Sequence, residues 1–252
     1  MGILSGLKNS LAFLTIIPVG MDENGIIKAA EWMPSFPIIG AFIGLSAGVL
    51  LWGLRAILPP LVAGMLGLGF IVLLTGAHHV DGLLDFGDAI MVLGSPEEKI
   101  RVMRDHQTGT GGLCLGLVVL STTAFGMAAL DPSMIIPSLV LSEASSRFAM
   151  VLQAWAGTST HEGLNTSFLE ALHGKWRSLR LSIAFLLTLA ISLVALRMTG
   201  IAVMLAGMLV AGVMLVISKR QFGGMTGDVM GATNELVQLA SLLVILVIPR
   251  CL

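Results

Sequence analysis

Charge is scarce in this sequence: 12% of its 252 residues are Asp, Glu, Lys or Arg, against 56% that are hydrophobic. Soluble domains carry about 25% charged residues. With a mean hydropathy of +0.94, the chain therefore reads as an all-α, polytopic integral membrane helical bundle. A formal net charge of −1 supplies no basic face, which argues against a nucleic-acid partner. Cysteine is equally sparse. Cys114 and Cys251 lie far apart, inside or beside apolar runs, so neither a disulfide framework nor a CxxC metal motif is indicated and both read as core residues. Tyrosine is absent and aromatics are 6% of the chain; we have no physical account of that.

What is abundant is apolar sequence in long runs. Segments at 34–54, 61–77, 113–130, 134–156, 181–196, 200–217 and 231–248 predict seven membrane spans. Several are shorter than the roughly 20 residues that cross ~30 Å of hydrocarbon, so flanking residues must extend them or the bilayer must thin. The first 20 residues carry a lone Lys8 and an apolar run without a small-x-small cleavage site, and read as part of the mature chain. That run is short for a span, so an interfacial or re-entrant helix ending at Pro18 is an equal alternative. The whole chain, 1–252, reads as a single transmembrane domain.

Basic residues sort the loops. Lys28, Lys99, Arg101, Arg104, Lys175, Arg177, Arg180, Lys219 and Arg220 fall on one side, and Arg55, Arg197 and Arg250 on the other. By the positive-inside rule the first side is cytoplasmic, in a multi-pass protein of the cell membrane.

Chemistry concentrates at 76–112, where charge crowds into an otherwise apolar chain. If 80–91 is helical, Asp81, Asp85 and Asp88 fall at i, i+4 and i+7 and project from one face. His78 shares that face, while His79 points away. Such carboxylates repel one another by a few tenths of a kcal/mol per pair and call for a cation, for which hard oxygen donors suit Mg2+ or Mn2+. The plainer reading is a solvated acidic loop end, disfavoured because 61–75 runs straight into the motif and sets the charges at a membrane boundary.

Other stretches add to this one. Ser95-Pro96-Glu97-Glu98 is a helix start, and the helix it opens should carry Arg101, Arg104 and Asp105 on one face. Either this is a surface helix with a Glu97–Arg101 i,i+4 pair, or the two arginines clamp a phosphate. Gly109-Thr110-Gly111-Gly112 precedes an apolar helix, where backbone N–H groups can approach an anion; taken separately it is a flexible hinge. Glu143 and Arg147 lie four apart inside a span, so Arg147 either pairs with Glu143 or faces the aspartates' cavity. His161, Glu162 and His173 read as solvated loop residues. Near the C-terminus, Gly223-Gly224-Met225-Thr226-Gly227-Asp228 opens a membrane helix with Asp228 at or near its N-cap, while Asn234 and Glu235 lie deeper.

These motifs together resemble the cobalamin synthase family, the adenosylcobinamide-GDP ribazoletransferases. His79-x-Asp81-Gly82-Leu83-x-Asp85-x-x-Asp88 is similar to its acidic signature. Met103-Arg104-Asp105 with Gly109-Thr110-x-Gly112 is similar to its second, and Gly223-Gly224-x-Thr226-Gly227-Asp228-x-x-Gly231-Ala232 to its third. Lesser matches are Phe13-Leu14-Thr15 with Pro18, Phe36-Pro37-x-x-Gly40, Ser146-Arg147 and Glu162-Gly163-Leu164, so the resemblance runs from Phe13 to Glu235. Ala89, His106 and Gln238 depart from the family's usual glycine, serine and glutamate.

The resemblance implies a Mg2+-dependent late step of cobamide assembly. The ribose hydroxyl of α-ribazole or its 5′-phosphate attacks the cobinamide-bonded phosphate of adenosylcobinamide-GDP, and GMP leaves. It assigns Asp81, Asp85, Asp88 and Asp228 to metal, and Arg101, Arg104 and Arg147 to phosphates. Gly109, Gly112, Gly223, Gly224, Thr226 and Asn234 go to substrate, and His79 or Asp105 takes the nucleophile's proton. A homo-oligomer is compatible with this reading. One rival is a CDP-alcohol phosphotransferase, whose longer aspartate pattern is missing around Asp81. The other is a divalent-cation transporter or channel, which explains the aspartates but not the glycine-rich loops.

Overall fold

The computed structural model of the chain describes residues 2–105, 107–159 and 164–248. Its elements are α1 (Ile3–Leu14), α2 (Gly25–Glu31), α3 (Phe36–Leu54), α4 (Pro60–Leu74), α5 (His78–Met91), α6 (Pro96–Met103), α7 (Thr110–Ala129), α8 (Ile135–Ala156), α9 (Leu164–His173), α10 (Arg177–Phe222) and α11 (Gly227–Val247). Five helices, Met33–Leu54, Thr110–Ala129, Pro132–Ala156, Arg177–Phe222 and Gly227–Val247, are long and apolar enough to cross a membrane. The bent pair α4 and α5 makes a sixth if it counts as one span. The chain is thus a polytopic helical membrane protein.

At 46 residues, α10 would extend ~69 Å if straight, more than twice the ~30 Å hydrocarbon thickness. It does not stay straight. Leu196 (φ −139°) and Arg197 (φ 51°, ψ −124°) leave helical geometry, and Gly200 lies so close to the Ser192 backbone that a Cβ there would meet the Ser192 carbonyl oxygen at 2.1 Å. The chain doubles back at that point, so the two segments expected at 181–196 and 200–217 are arms of a hairpin.

Small residues let the helices approach. Gly40 and Gly44 of α3 press on the Glu143 and Leu139 carbonyls of α8, the close backbone packing that substitutes for a hydrophobic driving force in lipid. The loops gather at two ends. At one, the Ile16 N–H donates to the Leu74 carbonyl (2.8 Å), and the Met225 N–H donates to the Thr158 carbonyl (2.9 Å). At the other, the Arg55 guanidinium donates to the carbonyls of Ala128 (2.6 Å) and Leu130 (3.2 Å), a cation on the C-terminus of α7.

Four expectations are corrected. The N-terminal helix ends at Leu14, not Pro18, and at 12 residues it is too short to span. Cys114 is exposed on α7 rather than in the core, because the lipid-facing surface of a bundle accepts the same apolar residues as its interior. Helix α9 forms where a loop was read, and its His173 ring nitrogen lies 3.2 Å from the Trp155 carbonyl oxygen. Helix α6 ends at Met103, so Asp105 is not on a common helical face with Arg101. Cys251, His106, His161 and Glu162 lie outside the described residues.

The N-terminal unit is tied down by one carboxylate. Asp22 accepts hydrogen bonds from Lys28 (2.7 Å), Asn9 (2.9 Å), Lys8 (3.1 Å) and Ser5 (3.0 Å). The Lys28 bond first, then those from Asn9, Lys8 and Ser5, hold its carboxyl well below the usual carboxylate range. A depressed folded pKa contributes stability that is present above the unfolded value of about 3.9 and fades as pH falls through the lower folded one. Docking of α1 on α2 should therefore persist at pH 4 to 5 (on the order of the ordinary carboxylate pKa) and fail only in stronger acid, whereas Asp22→Asn should loosen it at neutral pH. Trp32 packs over Gly6, so its fluorescence, with the other three tryptophans replaced by Phe, reports the docking.

Candidate active site

Helix α5 turns 97° away from α4 instead of continuing it. The bend is built at Gly76 (φ +65°) and Ala77 (φ +59°), both left-handed. The Ala77 N–H donates to the Val72 carbonyl (2.8 Å) and the Gly76 N–H to the Leu73 carbonyl (3.1 Å), which close the end of α4. A left-handed alanine costs about 1–2 kcal/mol. That strain sits immediately before the aspartates.

Two helices pinch α5. A Cβ on Gly82 would meet the Asp228 carbonyl oxygen at 2.8 Å and its Cα at 2.9 Å, and Gly231 lies against the backbone of His79. Farther along, Gly87 lies against the Cα of Gly112, where a Cβ would come within 2.8 Å. The first contact brings α11 to α5 and the second brings α7.

Consequently the acidic residues have different surroundings. Asp81 and Asp228, from α5 and α11, line one cavity of about 480 Å3, and Asp228 has Asp81 and Arg104 as charged neighbours. Asp88 faces α7: its carboxylate accepts the Gly109 N–H (2.6 Å) and the Gly112 N–H (2.8 Å). The anion held by the glycine loop in this structure is the chain's own Asp88. Asp85 lies one turn from Asp81 on the same helix. His78 and His79 both line the cavity, which corrects the expectation that His79 points away. His79 is buried against Gly231, and its Nδ1 has no partner among the described residues.

The other candidates divide similarly. Helix α6 opens with a capping box, the Glu98 N–H donating to Ser95 Oγ (3.3 Å) and the Ser95 N–H to Glu98 Oε2 (2.8 Å). It docks on the C-terminal motif through Thr226 Oγ1, which donates to Met103 Sδ (3.3 Å). Arg101 and Arg104 are exposed, and the Asp105 carboxylate accepts the Gln107 N–H (3.1 Å). Thr226, not Asp228, is the N-cap of α11 and accepts the Val229 N–H (3.1 Å). Gly223 (φ +76°) ends α10, and the Gly224 carbonyl accepts from Ser218.

Arg147 and Asn234 are fully buried away from the cavity lining. The Arg147 Nη1 donates to Glu143 Oε2 at 2.6 Å, Gln238 donates to the other Glu143 oxygen, and Asn234 donates to Glu235 Oε1 (3.1 Å). Of the two alternatives for Arg147, the structure takes the intrahelical pair. Sequence reasoning missed the cavity's apolar wall, in which Phe13, Phe36 and Phe168 come from α1, α3 and α9. Phe13 and Phe36 lay in the motifs already noted; nothing in the sequence pointed to Phe168.

Among the described residues no three His, Cys, Asp or Glu side chains converge closely enough to hold a metal between them. Mg2+ commonly takes one or two carboxylates and fills its remaining positions with water and substrate phosphate. Asp81 and Asp228, hard oxygen donors on one cavity wall, fit that pattern.

The sequence profile of the cobalamin-5-phosphate synthase family matches residues 6–246. The chain is 33% identical over 254 residues to the adenosylcobinamide-GDP ribazoletransferase of Methanocella arvoryzae, covering 95% of this chain and 94% of that one. It is 33% identical over 238 residues to the enzyme of the same name from Thermococcus kodakarensis (94% and 96% covered). It is 31% identical over 249 residues to that from Shigella flexneri (94% and 97% covered). No solved structure matches.

Two outcomes test this geometry. Asp88→Ala removes two charge-assisted bonds to the start of α7, each worth about 1.5–3 kcal/mol; thermal unfolding of the purified protein should fall accordingly, with the fastest added hydrogen exchange at 109–113. Arg147→Met should cost about 3–5 kcal/mol by stranding a buried Glu143 carboxylate. Combining it with Glu143→Gln should recover much of that loss, a coupling that a phosphate-binding Arg147 would not give.

Proposed function

Because the chain belongs to the cobalamin-5-phosphate synthase family, we propose that it joins a ribazole nucleoside, or its 5′-phosphate, to the cobinamide phosphate of adenosylcobinamide-GDP and releases GMP. That it is a transferase of cobalamin synthesis follows from its family and relatives. The single observation that supports the finer reading is the meeting of Asp81 and Asp228 in a cavity beside Arg104.

In this reading the ribose hydroxyl attacks the phosphorus bonded to cobinamide. A new P–O bond forms to the ribose, the P–O bond to GMP breaks, and the leaving phosphate carries off the bonding pair. Phosphoryl transfer needs positioning and charge neutralisation more than covalent help. Asp81 and Asp228 would hold Mg2+, with Asp85 a further donor one turn away; the ion supplies electrostatic stabilisation of the pyrophosphate and its developing charge. Arg104, a charged neighbour of Asp228, and Arg101, three residues earlier and likewise exposed, bind phosphate oxygens. His79, whose side chain lines the cavity and whose buried Nδ1 has no partner among the described residues, takes the proton of the attacking hydroxyl. Asp105 is the weaker candidate, since it faces the Gln107 amide and does not line the cavity. Asp88 fixes the glycine loop of α7, and Arg147 holds Glu143, to which Gln238 of α11 donates, so each acts on the site by positioning helices. The site opens to the cytoplasm of the cell membrane, the side with the greater number of basic loop residues.

The test is purified protein in lipid nanodiscs with adenosylcobinamide-GDP, α-ribazole and Mg2+. GMP and a completed cobamide should appear together, and chelation with EDTA should stop both. Asp81→Asn and Asp228→Asn should each lower kcat by about two or more orders of magnitude, as loss of a ligand to the ion that neutralises the transition state does, without altering yield or thermal unfolding. Retention of most activity by either variant would remove that residue from the site.

A further inference from the structure

The cavity that holds Asp81 and Asp228 is larger than a metal and a phosphate require. Its lining also includes a cluster of three phenylalanines. The Phe13 ring lies 4.7 Å from that of Phe168 and 6.1 Å from that of Phe36, and Phe36 lies 6.0 Å from Phe168. They come from three separate elements, and Phe36 and Phe168 are buried. At about 480 Å3, the space is in the range of small-ligand sites, ~300–1,000 Å3. A corrin macrocycle with its amide side chains is far larger than this and must remain outside.

Resting on the function proposed above, we infer that this cavity is the acceptor pocket. The aromatic base of the ribazole nucleoside sits against Phe13, Phe36 and Phe168, and its ribose points toward Asp81 and Asp228. Two flat aromatic groups could in principle enter, the base of the acceptor nucleoside or the guanine of the donor, and the lining chooses between them. Guanine carries two donors and an acceptor on its pairing edge, and each would be left unpaired against phenylalanine rings, at a cost in free energy. An alkylated benzimidazole has no such edge. Its methyl groups gain from leaving water, and its ring can stack or tilt against the phenylalanines. The lining also divides into two chemically distinct groups. The phenylalanines touch one another, while Asp81 and Asp228 are mutual neighbours. A nucleoside has the same polarity, an apolar base at one end and hydroxyls at the other.

The consequence is a selectivity rule: the pocket prefers apolar bicyclic bases and rejects purines through the unpaired edge, with no residue dedicated to rejecting them. It also follows that the guanosine diphosphate part approaches from outside, along Arg104.

The experiment measures equilibrium binding of radiolabelled α-ribazole to the protein in nanodiscs without donor, beside steady-state KM for each substrate. Phe168→Ala opens the wall, and Ala12→Phe fills the cavity from α1 while leaving the three phenylalanines in place. Each should weaken α-ribazole binding and raise its KM roughly tenfold or more, the scale of losing or blocking one aromatic contact, with KM for adenosylcobinamide-GDP nearly unchanged. The unaltered protein should bind the dimethylbenzimidazole nucleoside at least about tenfold more tightly than the adenine nucleoside of the same linkage, as one unpaired buried polar group dictates. If Phe168→Ala does not fold, Ala12→Phe alone decides the matter. GMP release with α-ribazole binding and KM untouched by the variants, or affected only for the donor, overturns the pocket and leaves the function standing. Binding that is lost in the variants although the unaltered protein releases no GMP overturns the function and leaves the pocket standing.

Discussion

The arrangement depends on backbone meeting backbone where α5 crosses α11. Side chains are flexible, and two carboxylates placed on flexible stems move apart. Here the spacing is set by Gly82 resting on the main chain of Asp228 and by Gly231 resting on that of His79, so Asp81 and Asp228 cannot separate without parting the helices. A methyl group at residue 82 would find the Asp228 carbonyl oxygen at 2.8 Å, with only main chain available to give way. The repulsion built in by this contact is partly offset by Arg104.

The same helix uses its other glycine face differently. Gly87 admits the start of α7, and Asp88 then caps that helix through Gly109 and Gly112. Aspartates at helical spacing on one helix therefore meet different partners, Asp81 the cavity and Asp88 the start of α7, and the division is made by neighbours and not by spacing. A carboxylate at the positive end of α7 stabilises it, and it anchors the α6 to α7 connection that carries Arg104 and Asp105. Motifs that are separate in sequence are thereby coupled: the acidic helix holds the glycine loop, and α6 reaches the C-terminal motif through Thr226 and Met103.

Much of this was legible in the sequence. The apolar runs gave the membrane helices, and the Ser95 capping box gave the start of α6, because both are local. The loop sorting that gathered the motifs at one end used only basic residues, and the contacts of Ile16 with Leu74 and Thr158 with Met225 agree with it. What was not legible was tertiary. Period alone put Asp88 beside Asp81 and His79 away from both, because helical spacing says which residues share a face and nothing about what packs there. The glycines of 109–112 were read as a cradle for a substrate anion, and sequence cannot reveal that the chain supplies its own. Phe168 joins the cavity through α9, a helix with no strong start signal. Gln238, a departure from the family pattern, has its reason only in three dimensions: it donates to Glu143, where a second glutamate would need a proton to do so.

A glycine contact fixes how close two helices lie but not how far one has slid along the other, and in lipid the hydrophobic effect does not choose, since acyl chains are as apolar as leucine. Axial register must come from directional bonds. Helices α8 and α11 carry them in the bundle interior: Gln238 to Glu143 and Ser142 to the Gln238 carbonyl (3.2 Å) near mid-helix, and Gln153 to Thr233 at 2.7 Å nearer the site. A membrane-buried hydrogen bond averages only about 0.6 kcal/mol of net stability, yet a slip of one turn would break these bonds at once and leave the second Glu143 oxygen, which Arg147 does not hold, without its partner. Slipping α11 by that ~5.4 Å would also carry Asp228 away from Asp81. The Glu143, Arg147 and Gln238 cluster is therefore best understood as the ruler that sets α11 at the right height, after which Gly82 and Gly231 set its distance. Charge that is costly at this depth is retained because no apolar contact could supply the same information.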